Sequence, residues 1–286
     1  MSKTTIQSYF NSLVEDISCM YPKHEAVSIA YVVVEHVLNY SKFKYTEHRN
    51  ELFPQSALEL WNKILTELLT GKPIQYIIGI APFYGLNFEV NSSVLIPRPE
   101  TEELVDLVLN KNTNELIRVL DIGTGSGCIP VSLKVHRNNW EVFATDISEE
   151  ALLTAKRNAV LNKVKIDFYQ DDIFNSKAFQ NSDKFNVIIS NPPYIPLSEK
   201  KKMHKNVVDF EPQIALFNPD ADAVKYYRAI SSYAKLLLIK GGKIYVEIHE
   251  NYGNEVAEIF KTAGLKNVEI IHDINSKPRI VKAILL

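Results

Sequence analysis

Two patterns of apolar residues divide the chain near residue 70. Before that point, apolar side chains recur every three or four residues, the spacing of one face of an α-helix, and no alternation typical of a strand occurs. We therefore predict a small all-α bundle of three helices, the last ended by Gly71 and Pro73. The apolar faces are Ile6, Phe10, Leu13, Val14 and Ile17; Ala26, Ile29, Ala30, Val33, Val34 and Val37; and Leu58, Trp61, Ile64, Leu65 and Leu68.

From residue 116 onward, short apolar runs alternate with helical stripes. This alternation is typical of a doubly wound α/β sheet, whose parallel strands are covered by helices on both faces. The last two runs are close enough in sequence to form an antiparallel hairpin at the sheet edge, and the helix before the fifth run is predicted to end at Gly241-Gly242. The predicted strands are residues 116–120, 140–146, 165–169, 185–190, 243–248, 268–272 and 280–285.

A linker joins the two patterns. Residues 83–90 predict a short hairpin, and residues 94–102 predict a proline-stiffened entry into a helix that Thr101 caps. Arg98 and Glu100 are expected to line a ligand cleft if the chain doubles back. The predicted division is a helical bundle over 1–72, which is a candidate for substrate recognition, a linker over 73–98, and a catalytic sheet domain over 99–286.

Candidate ligand-binding residues follow the predicted strands, because ligands of such sheets lie at the carboxyl ends of strands. The first strand leads into Asp121-Ile122-Gly123-Thr124-Gly125-Ser126-Gly127. An acidic residue beside this loop disfavours a pyrophosphate and favours a cationic ligand such as S-adenosylmethionine, which carries an ammonium and a sulfonium. Asp146 is expected to bind ribose hydroxyls, and Asp172 and Ile173 to contact adenine. The alternative for the pair Asp171-Asp172 is a solvated turn.

A tetrapeptide rich in hydrogen-bond acceptors, Asn191-Pro192-Pro193-Tyr194, follows the fourth strand. An amide or aromatic amine has no free lone pair, so acceptors must hold its hydrogens while its nitrogen reacts. The Asn191 side-chain oxygen and the Pro192 carbonyl can do this, and Tyr194 can stack on the planar group. Together with the glycine loop, this predicts a methyltransferase that acts on nitrogen. The alternative for the tetrapeptide alone is an ordinary proline turn.

Composition agrees with an enzyme of two domains. The chain has 286 residues, a formal net charge of −2 and two cysteines, Cys19 and Cys128, that form no motif. We expect a cytoplasmic protein without membrane contact, because no secretory or membrane-spanning apolar run occurs. The charge gives no general indication of nucleic-acid binding. The histidines lack metal-ligand spacing, and Glu247, His249 and Glu250 are assigned to a strand terminus, so no metal is expected.

Motifs spread over nearly the whole chain form a recognisable set. They are Tyr76 with Phe83-Tyr84-Gly85; Leu95-Ile96-Pro97-Arg98-Pro99-Glu100-Thr101-Glu102; the glycine loop; Ser190-Asn191-Pro192-Pro193-Tyr194-Ile195; and Glu211-Pro212 with Ala215-Leu216. In this set the chain resembles the HemK/PrmC family of release-factor glutamine methyltransferases. Other amino methyltransferases share the acceptor tetrapeptide but not the Ile-Pro-Arg-Pro-Glu-Thr run. The chain departs from the family at residues 217–222, where a glycine-rich segment is usual, and at Ile173, where tryptophan is frequent.

The resemblance implies a Rossmann-like class I methyltransferase sheet with an antiparallel edge hairpin, preceded by the all-α bundle. It also implies methyl transfer from S-adenosylmethionine to the side-chain amide nitrogen of the glutamine in the Gly-Gly-Gln motif of class I peptide chain release factors. The product of the cofactor is S-adenosylhomocysteine, and the transfer is expected to be a direct displacement by a monomeric enzyme without metal.

Motifs and resemblance together assign the site residues. The cofactor is expected to contact Asp121, Gly123, Thr124, Gly125, Ser126, Gly127, Asp146, Asp172, Ile173 and Asn191. The substrate is expected to contact Asn191, Pro192, Pro193, Tyr194, Arg98 and Glu100. The catalytic residues are expected to be Asn191, Pro192 and Tyr194.

Two other functions stay open at this point. An amino methyltransferase of nucleic-acid bases could use the same acceptors, and it would need phosphate contacts. The compact basic candidate for these is Lys200-Lys201-Lys202 with Lys205, whose alternative is a solvated loop. A cofactor-binding module that regulates translation without catalysis is the second alternative, and the intact Asn191 motif speaks against it.

Overall fold

The computed structural model describes residues 4–113, 116–179, 183–219 and 222–286. Within them the chain forms two compact units. The first comprises the described residues up to Gly79 together with His204–Phe210, and the second comprises Ile80–Met203 with Glu211–Leu286. A short helix from within the sheet region of the sequence therefore belongs to the helical unit.

The first unit is a helical bundle in which the three predicted apolar stripes share one buried core. The first helix, Ile6–Ile17, begins after Thr5, whose side chain accepts a hydrogen bond of 3.2 Å from the Ser8 N–H. Two short helices, Lys42–His48 and Ile74–Ile78, were not predicted from the pattern. The helices are α1 Ile6–Ile17, α2 Lys23–Leu38, α3 Lys42–His48, α4 Leu58–Leu68, α5 Ile74–Ile78 and the inserted α9 Lys205–Phe210.

The second unit contains a two-stranded hairpin over residues 80–89, a mixed sheet flanked by helices, and a further pair of two-residue strands. Its helices are α6 Pro99–Lys111, α7 Cys128–His136, α8 Glu149–Leu161, α10 Gln213–Leu216, α11 Lys225–Leu237 and α12 Gly253–Thr262. Its strands are β1 Ile80–Phe83, β2 Leu86–Glu89, β3 Arg118–Ile122, β4 Glu141–Asp146, β5 Asp167–Gln170, β6 Phe185–Ser190, β7 Ile195–Pro196, β8 Phe217–Asn218, β9 Leu238–Glu247, β10 Lys266–His272 and β11 Pro278–Ile284.

The sheet has seven strands in the order β10-β11-β9-β6-β3-β4-β5. The strands from β9 to β5 in this order run parallel, whereas β11 is antiparallel to both β9 and β10. The predicted fold class is confirmed, including the antiparallel hairpin at one edge. From β3 the chain adds β4 and β5 on one side and then β6 on the other, so the strand order reverses between β3 and β6.

Each face of the sheet has its own apolar core. Successive residues of β3 point to opposite faces, so Val119 joins one cluster and Leu120 the other. The first cluster contains side chains of α6, α7 and α8, such as Leu104, and the second contains side chains of α11 and α12, such as Phe260. Helices on both faces leave the carboxyl ends of β3 and β6 as the place for a ligand.

Two local predictions were wrong. The helix α6 begins at Pro99, where the fixed φ of proline suits the first helical position, so Thr101 lies inside the helix and does not cap it. The helix predicted to end at Gly241-Gly242 ends at Leu237, and both glycines lie within β9. There the pairing with β6 is irregular, and a Cβ at Gly242 would lie only 2.8 Å from the Ile239 carbonyl oxygen. The glycines therefore serve a bulge and not a helix end.

Candidate active site

A cleft opens at the carboxyl ends of β3, β4, β5 and β6, on both sides of the point where the strand order reverses. Its empty space is about 1140 Å³ when the mouth that faces solvent is included. Its wall includes most of the predicted site residues: Arg98, Gly123, Thr124, Gly125, Ser126, Asp146, Asp172, Ile173, Asn191, Pro192 and Pro193. Asp121, Gly127, Glu100 and Tyr194 are not part of this wall.

The glycine loop is held by main-chain hydrogen bonds to β4. The N–H groups of Gly123 and Thr124 both donate to the Thr145 carbonyl at 2.9 Å. Gly125 has φ +55°, and its N–H donates to Asp146 Oδ2 at 2.8 Å. Gly127 has φ +79°, and a Cβ there would lie 3.0 Å from the Cβ of Ala155 in α8. The glycines therefore allow both the left-handed turns and the close approach of a helix.

Asp146 lies where a ribose could be held, and the main chain already fixes its orientation. Its two carboxylate oxygens accept the N–H groups of Gly125 at 2.8 Å and Ser148 at 2.9 Å. Burial raises the pKa of Asp146, and these main-chain hydrogen bonds oppose the rise. Since each carboxylate has about four acceptor positions, the Asp146 carboxylate keeps acceptor capacity for a hydroxyl donor from the cleft.

Asp121 is a buried carboxyl group at the base of the loop. Its side chain is fully buried in β3, and neither oxygen has a partner with good hydrogen-bond geometry among the described residues. Burial raises its pKa to about 7, the nearby Thr124 hydroxyl lowers it, and the charge of Asp146 raises it further. A carboxyl group with unused acceptors beneath this loop suits a cationic group of a ligand better than an anionic one.

The adenine side of the cleft combines a polar turn with an aromatic wall. Asp172 accepts hydrogen bonds from the Phe174 N–H at 2.9 Å and from Asn175 Nδ2 at 3.2 Å, so the alternative of a turn describes part of its role. Ile173 lines the cleft beside Phe174 and Tyr226, whose ring centroids are 5.0 Å apart. The sequence reasoning missed Tyr226, which comes from α11 and carries no local motif.

Asn191 belongs to a chain of side-chain hydrogen bonds. Its Nδ2 donates to Thr101 Oγ1 at 3.1 Å, and Thr101 Oγ1 donates to Glu247 Oε2 at 2.7 Å. The amide of Asn191 is therefore held through its nitrogen. Nothing in the described part of the chain donates to Asn191 Oδ1, which is left as an acceptor.

The two prolines of the tetrapeptide present their carbonyl groups differently. The Pro193 carbonyl accepts a hydrogen bond of 2.6 Å from Asn218 Nδ2. No donor among residues 4–113, 116–179, 183–219 and 222–286 reaches the Pro192 carbonyl. Asn218 lies in β8, which pairs with β7 directly after the tetrapeptide. The segment 217–222, which departs from the family, thus supports the acceptor turn through the side chain of Asn218. Residues 220–221 of this segment lie outside the described residues.

Tyr194 faces away from the cleft wall. Its hydroxyl donates to Glu247 Oε1 at 3.1 Å, and burial followed by the charge of Glu247 raises its pKa well above the usual value. The stacking of Tyr194 on a planar substrate stays a prediction. Glu100 lies in the first turn of α6, outside the cleft wall.

Arg98 lines the cleft and is tied to a buried carboxylate. Its Nη2 donates to Glu211 Oε1 at 2.6 Å, and the Ile96 N–H donates to Glu211 Oε2 at 3.2 Å. The Glu211 side chain is 1% exposed, whereas that of Arg98 is 31% exposed. The pair fixes the linker before α6 against the segment after the tetrapeptide.

Sequence reasoning did not assign Glu247, Thr101 and Glu211 to the site. A usable signal existed for Glu247, because it is an acidic residue in the apolar run Ile244-Tyr245-Val246-Glu247-Ile248 at the carboxyl end of a strand. Burial raises its pKa to about 7, while hydrogen bonds from Thr101 and Tyr194 oppose the rise. No group of three or more His, Cys, Asp or Glu side chains that could hold a metal ion occurs in the described part of the chain.

These residues fit S-adenosylmethionine. The glycine loop would hold its amino-acid end, with the carboxyl group of the buried Asp121 beneath the loop, Asp146 would hold its ribose, and the wall of Ile173 and Phe174 its adenine. On the other side of the cleft, Asn191 and Pro192 offer acceptors to the hydrogens of a planar nitrogen. The arrangement can therefore place a methyl donor opposite an amide or amine.

The sheet order, the glycine loop and the acceptor turn together define a Rossmann-like class I methyltransferase. The fold is shared with a methyltransferase from Pyrococcus furiosus, with a TM-score of 0.52 and 19% identity over 80% of this chain and 97% of that one. The model of the methyltransferase small domain matches residues 101–210, and that of the PrmC N-terminal domain matches residues 21–79.

Two curated relatives match almost from end to end. The release factor glutamine methyltransferase of Flavobacterium psychrophilum is 38% identical over 281 residues, which are 97% of this chain and 98% of the relative. That of Bacteroides thetaiotaomicron is 38% identical over 278 residues, with the same coverage of 97% and 98%. The chain belongs to the family of release factor glutamine methyltransferases.

Proposed function

We propose that this enzyme transfers a methyl group from S-adenosylmethionine to the side-chain amide nitrogen of the Gly-Gly-Gln glutamine in class I peptide chain release factors, and thereby modulates translation termination. The observation that supports it most is a pair of acceptors at the cleft to which no described residue donates, Asn191 Oδ1 and the Pro192 carbonyl. A primary amide has two N–H hydrogens, and the pair offers one acceptor for each.

The chemistry asks these residues to orient an amide and not to remove a proton in advance. When bound, S-adenosylmethionine supplies an electrophilic methyl group on a sulfonium. Asn191 and Pro192 hold the glutamine nitrogen by its hydrogens, so its face is turned toward the donor side of the cleft. The nitrogen gains the methyl group as the sulfur–methyl bond breaks, which leaves S-adenosylhomocysteine, and the nitrogen releases one of its two hydrogens as a proton to the solvent at the cleft mouth. Alignment of two reactants can lower a barrier by about 7–11 kcal/mol, which suits a site made of acceptors.

The test uses purified full-length protein, methyl-labelled S-adenosylmethionine and purified release factors. One set of factors keeps the Gly-Gly-Gln glutamine and a matched set has it replaced. We expect label on that glutamine alone, located by peptide mass. Absence of label on folded, active release factors would contradict the proposal. Transfer to nucleic acid with strongly salt-dependent binding would instead support a base methyltransferase, although Lys200 is already engaged with Gln213 Oε1 at 2.7 Å.

We also propose that the enzyme acts as a cytoplasmic monomer without stable nucleic-acid binding, and that the helical unit helps to recognise the release factor. No helix in the described residues is long and apolar enough to cross a membrane.

In the helical unit, Phe43 is 75% exposed, so Phe43→Ser should raise KM for the release factor and leave cofactor affinity unchanged. The matched control is Val160→Ser, at a position 78% exposed in the other unit. Equal KM values for both variants would contradict this recognition.

A further inference from the structure

Glu247 is the buried centre of a hydrogen-bond network that reaches both ends of the acceptor tetrapeptide. Its Oε2 accepts from Thr101 at 2.7 Å and its Oε1 accepts from Tyr194 at 3.1 Å. The Tyr227 hydroxyl donates to its main-chain carbonyl at 3.0 Å. The Glu247 residue is 1% exposed and does not line the cleft, so it can act on a substrate only through its neighbours.

The direction of each hydrogen bond in this network follows from the carboxylate. An ionised carboxylate only accepts, so both hydroxyl groups must donate to it. Thr101 has one hydrogen, and once that hydrogen points to Glu247, Thr101 Oγ1 can offer only lone pairs to Asn191. The Asn191 side chain must then present Nδ2 to Thr101, and its Oδ1 faces the other way.

We propose that Glu247 is a positioning residue that, through Thr101, fixes the orientation of the Asn191 side-chain amide so that Oδ1 and not Nδ2 meets the substrate nitrogen. The inference rests on the proposed function, since a nitrogen with hydrogens needs an acceptor at this place. A flipped Asn191 would present N–H groups to N–H groups, which repel each other.

Protonation of Glu247 weakens its hold on the orientation of the Asn191 side-chain amide. A carboxylic acid carries a donor on one oxygen, so Thr101 and Tyr194 can no longer both donate, and Thr101 can turn its hydrogen toward Asn191 Oδ1.

The groups around Glu247 set the pH at which its carboxyl group becomes protonated. Burial raises its pKa to about 7, with Glu100 adding to the rise, and Thr101, Tyr194 and Arg279 lowering it. Tyr227 of α11 and Cys128 of α7 also face the carboxyl group, and both are held neutral by burial, with the pKa of Cys128 raised to about 12. Since Glu247 has to be ionised, the rate of methyl transfer should rise with pH through about 7.

The closing experiment compares Thr101→Val, which removes the hydroxyl at nearly constant volume, with Thr101→Ser, which keeps it. Thr101→Val should lower kcat about tenfold, the size expected for one oriented hydrogen bond, and flatten the rise with pH. Thr101→Ser should restore most of the rate and the pH dependence. Thr154→Val removes another buried hydroxyl, bonded to the Glu150 carbonyl at 3.1 Å, and should leave kcat unchanged. Affinity for S-adenosylhomocysteine and Tm show that each variant is folded.

A second measurement needs no methyl transfer. In ¹⁵N-labelled protein, the side-chain amide signals of Asn191, assigned with Asn191→Ala, should titrate near pH 7 in the wild type and in Thr101→Ser, but not in Thr101→Val. Asn191 signals that ignore pH in the wild type, or titrate equally in Thr101→Val, would overturn the positioning role. If these signals behave as expected while release factors receive no label, the proposed function fails and the positioning of Asn191 stands.

Discussion

The two sides of the cleft are held in different ways. The cofactor side, after β3 and β4, is built from main-chain geometry: left-handed glycines and N–H groups that donate to the Thr145 carbonyl and to Asp146. The acceptor side, after β6, is built from side chains, with the buried carboxyl groups of Glu247 and Glu211 holding Asn191 and Arg98. A nucleoside can therefore be bound by a turn that is local in sequence, whereas the acceptor turn depends on residues far away along the chain.

The largest expected effect comes from removal of the acceptor itself. Asn191→Ala should reduce transition-state stabilisation by roughly 3–4 kcal/mol, because one preorganised polar contact is lost. Single-turnover rates with saturating cofactor measure this. Asn186→Ala is the control, since Asn186 lies in β6, the strand that leads into Asn191, but accepts the Arg118 N–H at 2.8 Å, away from the cleft. Near wild-type turnover of Asn191→Ala with cofactor bound would refute the role of Asn191.

The next effect tests the two buried carboxyl groups, one on each side. The pKa of Asp121 rises from 3.8 to about 7 and that of Glu247 from 4.5 to about 7 on folding. Between these two pKa values the folded state keeps a proton that the unfolded state has lost. The contribution of this proton to the free energy of unfolding is therefore complete below the unfolded-state pKa of about 4 and is lost as the pH rises through about 7. Each group should contribute a fall of about 2–3 kcal/mol in the free energy of unfolding between pH 5 and 8.

Urea unfolding at several pH values checks this. Asp121→Asn and Glu247→Gln should each remove about half of the fall, and the double variant most of it. Asp121→Asn should also weaken cofactor binding, whereas Glu247→Gln should not. If each variant follows the wild-type pH dependence, the titration of these two groups is not its source.

A smaller effect separates the backbone strain of a positive φ from the steric clash of an added Cβ at a glycine on the cofactor side. Gly127→Ala brings a Cβ to 3.0 Å from Ala155 at φ +79°, whereas Gly85→Ala meets nothing within 4 Å at φ +74°. Both variants carry the cost of a left-handed alanine, and only Gly127→Ala adds a clash, so it should lose about 2 kcal/mol more stability. Thermal unfolding and cofactor titration measure the difference. Equal losses would mean that α8 moves freely away from the loop.

The smallest effect concerns the ion pair on the acceptor side. Arg98→Met leaves Glu211 buried without its cation and should cost about 1–2 kcal/mol, reduced from the value for a fully buried pair because Arg98 is 31% exposed. Arg157→Met is the matched control. It breaks a pair with Glu89 in which both side chains are at least 40% exposed, and it should cost at most about 1 kcal/mol. Similar losses in urea unfolding would show that the burial of Glu211 does not matter.

The same contrast explains what the sequence could predict. The glycine loop and Asp146 are contained in about 25 consecutive residues with recognisable spacing, and their neighbourhood follows from the rule on strand ends. Thr101 and Glu247 are 146 positions apart, and the register that joins them depends on the packing of α6 against β9. Thr101 has the residue type of a helix cap, and only the structure shows that Pro99 starts the helix and leaves this hydroxyl to Glu247.

Six strands of the seven-stranded sheet were predicted to within about two residues, because buried strands form continuous apolar runs, whereas β9 begins at Leu238 and not at residue 243, and the two-residue strands β7 and β8 were not predicted. Short helices such as α3 were not predicted, since a segment of seven residues contains too few apolar positions to show the helical spacing of three or four residues. Gly241 and Gly242 were misplaced for a related reason. A glycine pair fits a helix end and a strand bulge equally well, and only the pairing of β9 with β6 decides between them.

The inserted helix α9 limits where the chain can be truncated or exchanged with that of a relative. The chain passes between the two units three times, after Gly79, Met203 and Phe210. Within the helical unit, the ring of His204 is stacked on Tyr21 with 6.0 Å between centroids, and a Cβ at Gly71 would lie 3.9 Å from Phe210. A truncation at residue 79 would therefore strip α9 of its neighbours. Chimeras between relatives should exchange residues 204–210 together with the amino-terminal helices, so a transfer of the helical unit needs three junctions in the chain, after Gly79, Met203 and Phe210.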